Sequence, residues 1–224
     1  MLLLRHAGGG PPARTRLRDV LPLEGKMIPR MSSEVDTLME GIPMPHIEVG
    51  NDAPGIVSLF LYRPETARPM SELAETLLRG PSSLSPGERE LIATYVSGRN
   101  ECRFCTNSHA AFAAAQLPGG MPLVDQVRSD PEVAPISAKL RALLGIAGAV
   151  QVSGREVGEE EVRAAREAGA SDMEIHDTVL IAAAFCMFNR YVDGLAAFTP
   201  DDQEGYAASA ELIVNHGYLA AIGL

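Results

Sequence analysis

Residues 85–116 read SPGERELIATYVSGRNECRFCTNSHAAFAAAQ, and this stretch decides the fold. Its first four residues, Ser85-Pro86-Gly87-Glu88, combine a capping serine, a proline at the first helical position and a glutamate placed to close a capping box. Behind them Leu91, Ile92, Tyr95 and Val96 form one apolar face at helical spacing. Ser97-Gly98-Arg99-Asn100 reads as a turn, with Asn100 as the cap of a second helix from Glu101 to Gln116. Pro118-Gly119-Gly120 closes that helix. Two helices joined by so short a turn form an antiparallel hairpin.

Outward from the hairpin, helix signals recur and strand signals do not. The pattern predicts helices over Ile56 to Tyr62, Met70 to Arg79, Pro122 to Arg128, Ser137 to Val150 and Glu159 to Ala168, with Pro69 as a break. Ser171-Asp172-Met173-Glu174 is a second capping box, 86 residues after the first, opening an apolar helix that runs toward Phe198. The two boxes hint at a repeated helical unit, in which Phe188 and Tyr191 stand where the first copy has cysteines. A final helix runs from Gln203 toward Asn215. The fold class is all-α.

The chain has 224 residues, 46% apolar and 21% charged, which excludes wholesale disorder. Its net charge of −10 repels phosphates and excludes nucleic acid or an anionic membrane as principal partner. Residues 1–30 run against this trend, with Arg5, Arg14, Arg16, Arg18, Lys26 and Arg30 against Asp19 and Glu24. With Gly8-Gly9-Gly10-Pro11-Pro12 they read as a basic, disordered arm; initiation at Met27 or Met31, or a transit peptide, are the other readings. Residues 31–224 then form a single all-α domain. No stretch approaches the ~20 uninterrupted apolar residues of a membrane span, and the chain reads as soluble and cytoplasmic.

Three cysteines in so long a chain do not make a disulfide scaffold. Cys102 and Cys105, three apart at a helix start, have Cα atoms about 5–6 Å apart, within the range a disulfide accepts. Unpaired N–H groups at the helix N-terminus favour thiolate there. His109 follows Cys105 by one turn on the same face and can exchange a proton with it directly or through one water. Glu90 lies about as far before the turn as His109 lies after it, so a hairpin brings them level. Glu90 can then accept a hydrogen bond from the imidazole and fix its tautomer. Zinc is a rival, but Cys102, Cys105 and His109 supply three ligands where a structural site takes four. Cys186 reads as an inert core thiol, His176 as structural, and Asn189-Arg190 as part of a buried ion pair.

Glu90, Cys102, Cys105 and His109 at these spacings, with Glu88-Arg89-Glu90-Leu91-Ile92-Ala93 before the pair and Asn189-Arg190 after it, resemble the alkylhydroperoxidase D-like branch of the carboxymuconolactone decarboxylase family. The resemblance covers about residues 50–200 and is nearest to the peroxidase-related members. It implies a multi-helix bundle whose central hairpin carries the CxxC pair, and an antioxidant thiol peroxidase that needs no metal or organic cofactor. It implies Cys105 as the thiol attacking a hydroperoxide, Cys102 as the resolving thiol, and His109 with Glu90 as proton relay. A lipoyl-bearing or thioredoxin-like dithiol protein would be the reductant, and the oligomer a homotrimer or hexamer. Some family peroxidases have a histidine between the cysteines, where Phe104 stands here. Members without the pair decarboxylate lactones, so its presence argues against that reaction. A redox-sensing or interaction module without catalysis, and a structural zinc protein, are the alternatives.

Overall fold

The capping box at Ser85 closes in the computed structural model, which describes residues 45–221. The Ser85 N–H donates to Glu88 Oε2 at 2.8 Å, and Ser85 Oγ accepts from the Glu88 N–H at 3.3 Å. The readings of residues 1–30 lie outside the described residues. Among the described residues there are nine α-helices and no strand. They are α1 (Gly55–Tyr62), α2 (Pro64–Arg79), α3 (Pro86–Arg99), α4 (Arg103–Gln116), α5 (Gly120–Ser129), α6 (Ala138–Val152), α7 (Glu159–Glu167), α8 (Asp172–Gly194) and α9 (Gln203–Ala220). None is long and apolar enough to cross a membrane.

Helix α3 occupies the centre. It packs along α4 and also against α6 and α8, while α9 returns across α4 and α2. The core between them holds Leu78, Leu91, Ile92, Leu144, Ile181 and Phe185, all essentially without exposure. Burying side chains of this size stabilises by about 1.5–3 kcal/mol each, so the hairpin is fixed from both sides.

Several boundaries differ from the sequence reading. Pro69 lies inside a continuous α2, because the loss of one backbone hydrogen bond is outweighed by burial of Ala67, Ala74, Leu77 and Leu78 on one face. Ser97 to Arg99 continue α3 rather than turning. The reversal falls at Glu101, which adopts a left-handed φ of 59°, and Cys102 rather than Asn100 takes the N-cap position of α4. Asn100 instead ends α3, and its amide donates to Asn189 Oδ1 at 2.8 Å. Asn189 in turn donates to Ser97 Oγ at 3.1 Å, so its burial is satisfied without a charge. Arg190 is exposed and, among the described residues, donates to its own helix at the Cys186 carbonyl, so the expected buried ion pair does not form there. Helix α8 stops at Gly194, and α9 extends to Ala220 with a break at Gly217. Met173, Leu180 and Met187, seven residues apart along α8, remain exposed.

The second capping box also forms. The buried Glu174 carboxylate accepts from the Ser171 N–H at 2.7 Å and from the Lys139 ammonium at 2.7 Å. Burial alone would raise its pKa, but Lys139 and the Ser171 donors prevail and hold it at about 2, against 4.5 for a free carboxyl. A depressed pKa contributes stability that is full above about pH 4.5 and is lost as the pH falls toward 2. Glu174→Gln should flatten the acid limb of the stability profile in that window, read by denaturant melts at stepped pH. An unchanged acid limb would remove Glu174 from the account.

Candidate active site

The reversal at Glu101 places Cys102 at the mouth of α4 and Cys105 in its first turn. Cys102 has no exposed surface and Cys105 only 3%. The Cys102 thiol is pushed well above the usual cysteine range, first by its hydrogen bond with Cys105, then by burial, with the Cys105 and Asp193 charges adding to both. The helix N-terminus therefore does not favour thiolate at Cys102, contrary to expectation. Loss of water raises the Asp193 carboxyl in turn, opposed by a hydrogen bond from Cys102. Cys102 stays a thiol. Around it pack Leu59, Val192, Ala197 and Tyr206. The backbone over this side is tied down by Gly55 N–H to the Phe198 carbonyl at 2.7 Å and His46 N–H to the Leu195 carbonyl at 3.0 Å.

Packing of α3 along α4 brings Glu90 level with His109. His109 Nδ1 lies 2.7 Å from Glu90 Oε2, with the carboxylate fully buried and the ring largely so. A carboxylate oxygen can only accept, so Nδ1 carries the hydrogen and Nε2 is left free to exchange a proton. The ring is held edge-on by Phe185 at 4.5 Å and Phe112 at 5.1 Å between centroids. Cys105 and His109 line the same cavity of about 60 Å³, walled by Phe60, Met70, Phe185 and Phe188. Its volume is about that of two water molecules. Phe104, between the cysteines, packs its ring against Gly55, where a Cβ would come within 2.3 Å of it. Gly55 has φ of 51°, a left-handed conformation that suits glycine.

The structure thus gathers Glu90, Cys102, Cys105 and His109 in one place. Among the described residues no group of three or more histidine, cysteine or acidic side chains is arranged to hold a metal. Cys186 stands apart, half-buried, with the Asn100 amide 3.6 Å from its sulfur. His176 is exposed beside Asp177.

Two residues beside the site were not foreseen, Asp193 next to Cys102 and Tyr218 next to Glu90. The Tyr218 hydroxyl donates to Glu90 Oε1 at 2.5 Å, lies 3.5 Å from His109 Nδ1, and faces the cavity. Gly217 just before it was the only sequence signal, a helix-weakening residue whose effect on direction a pattern does not give.

This geometry defines a buried dithiol beside an imidazole–carboxylate pair on an all-helical scaffold, and comparison with known proteins bears on that scaffold. Residues 64–117 match the model of the carboxymuconolactone decarboxylase family. Two solved structures share 27% identity with the chain at a TM-score of 0.62. One is an uncharacterized peroxidase-related protein from Silicibacter sp. TM1040, with 70% of this chain and 80% of that one covered. The other is an uncharacterized peroxidase-related protein with an alkylhydroperoxidase AhpD core from Ralstonia eutropha JMP134, covering 70% and 81%. A protein of unknown function from Agrobacterium tumefaciens has the same fold at 21% identity, 64% and 97% coverage and a TM-score of 0.57. Among curated proteins no sequence matches this chain. The chain thus carries a carboxymuconolactone decarboxylase family segment over residues 64–117, in a fold similar to that of solved peroxidase-related proteins with an alkylhydroperoxidase D-like core.

Proposed function

We propose that the protein is a thiol-dependent peroxidase, a disulfide oxidoreductase that reduces hydroperoxides. What supports this reading is the Glu90–His109 contact at the wall of the one cavity that Cys105 also lines, with the Cys102 thiol hydrogen-bonded to Cys105. The Cys105 thiolate attacks the outer oxygen of a hydroperoxide, the O–O bond breaks, and the leaving alkoxide takes a proton through His109 Nε2. Cys105 becomes a sulfenic acid and the hydroperoxide an alcohol. The Cys102 sulfur then displaces hydroxide from that sulfenic acid, giving the Cys102–Cys105 disulfide and water once its own proton has left. Asp193, hydrogen-bonded with the Cys102 thiol, is the carboxylate placed to take that proton. An external dithiol, carried by a lipoyl-bearing or thioredoxin-like protein, returns the pair to the reduced state.

The apolar lining and small volume of the cavity suit a compact hydroperoxide. The same reading keeps the protein in the reducing cytoplasm, with one helical domain over residues 31–224. It also includes self-association into a trimer or hexamer, for which the exposed Met173, Leu180 and Met187 of α8 offer an apolar seam.

The test is multiple turnover of hydroperoxide with lipoamide or thioredoxin donors in parallel. His109→Gln should slow consumption about 10²-fold or more while leaving disulfide formation by a strong oxidant unchanged. Unaltered kinetics in that variant would remove the relay. The burial of both sulfurs favours one second reading, a redox-sensing module whose disulfide alters a partner contact. In that case oxidation occurs once per chain and no donor sustains turnover.

A further inference from the structure

Tyr218 is separated from Glu90 by 128 residues, yet its hydroxyl occupies the carboxylate oxygen that His109 leaves free. Its arrival depends on a built break in α9. Gly217 has φ 84° and ψ 176°, non-helical values inside that helix. The freed Tyr218 N–H donates to Glu75 Oε2 at 2.8 Å, on α2. Glu75 is itself held by Arg79, whose Nε lies 3.1 Å from Oε1 and whose Nη1 donates to the Val214 carbonyl at 3.1 Å, one turn before the break. A Cβ at Gly217 would come within 2.6 Å of the Glu75 carboxylate. An ion pair on α2 thus grips the bent end of α9 and swings one tyrosine into the chamber.

We propose that Tyr218 is a positioning residue of the relay: its hydroxyl fixes the Glu90 carboxylate and moderates the pull of Glu90 on the His109 proton. The assignment rests on the peroxidase reading for its catalytic meaning, but its geometry stands alone. A carboxylate that accepts a second hydrogen bond is a weaker base toward the first donor. Burial, then the Glu90 charge and hydrogen bond, push the Tyr218 phenol well above its usual range, so it remains a donor throughout the working pH. Among the described residues, the ionisable and charged groups around the trio are few. Cys105 shares the cavity from α4, Glu75 and Arg79 stand behind Tyr218 on α2, and the buried Arg89 lies near Glu90 on α3, with Asp177 of α8 beyond it. The face of α8 toward the imidazole is the Phe185 ring.

The experiment is a titration of the His109 imidazole by NMR in the reduced full-length protein, paired with the pH profile of hydroperoxide turnover. Tyr218→Phe keeps the ring and deletes the hydroxyl. It should raise the His109 midpoint by about half to one pH unit. It should also cut kcat/KM about 3- to 10-fold and carry the corresponding limb of the rate profile to higher pH. Gly217→Ala, which unseats Tyr218 without touching the chamber, should move the midpoint in the same direction. An unchanged midpoint in either folded variant overturns the proposal. If the midpoints move while wild-type protein turns over no hydroperoxide, the positioning role stands and the peroxidase reading alone fails.

Discussion

Cys105→Ser should abolish hydroperoxide consumption, with a loss of at least about 10³-fold, and leave the helical spectrum and melting temperature nearly unchanged. A serine hydroxyl of similar size fits the same buried position in the first turn of α4, but at neutral pH it offers no anion to attack the O–O bond. Cys102→Ser should behave differently. It should consume one equivalent of hydroperoxide per chain and stall as a sulfenic acid that dimedone traps, because the second sulfur is needed only to close the disulfide. Full turnover in Cys105→Ser would sink the assignment of the attacking atom. Sustained turnover in Cys102→Ser would sink that of the resolving one.

The second large effect is at Glu90. Glu90→Ala removes a fully buried carboxylate that accepts from both His109 Nδ1 and the Tyr218 hydroxyl, and leaves two buried donors without partners. The expected cost is about 3–5 kcal/mol, measured by chemical denaturation. Turnover should fall about 10²- to 10⁴-fold, since the imidazole loses its fixed tautomer. Glu90→Gln should recover most of the stability, because the amide oxygen still accepts, yet only part of the rate. Equal stability of wild type and Glu90→Ala would mean that the carboxylate is not seated between those donors.

The pairing of Glu90 with His109 was legible in sequence from one count, the equal distance of both residues from the expected turn. With the reversal at Glu101 the two residues lie unequally far from it, Glu90 farther than His109, yet the pairing forms because both stay on facing turns of the hairpin. A helix with Gly98 and Asn100 near its end looks like a loop to local propensity, while burial of Val96 and Ser97 keeps it wound until Glu101 turns it. Pro69 was misread for the same reason: local preference predicts a break, and tertiary burial decides otherwise. Tyr218 lay beyond any local pattern. Its place depends on Glu75 and Arg79, residues that look like an ordinary charged helix face until α9 folds across them. Asp193 was missed likewise, since nothing in α8 marks one carboxylate as the neighbour of Cys102.

Cys102 is fully buried in one apolar cluster with Leu59, Val192, Ala197 and Tyr206, and backbone hydrogen bonds tie residues 46 and 55 to residues 195 and 198. On the peroxidase reading, a small oxidant would meet Cys105 through the cavity that it lines, whereas a thiol borne on another protein would find the pair closed off. On that reading oxidation would outpace reduction, and in a steady supply of oxidant most molecules would rest in the disulfide form until this packing opened.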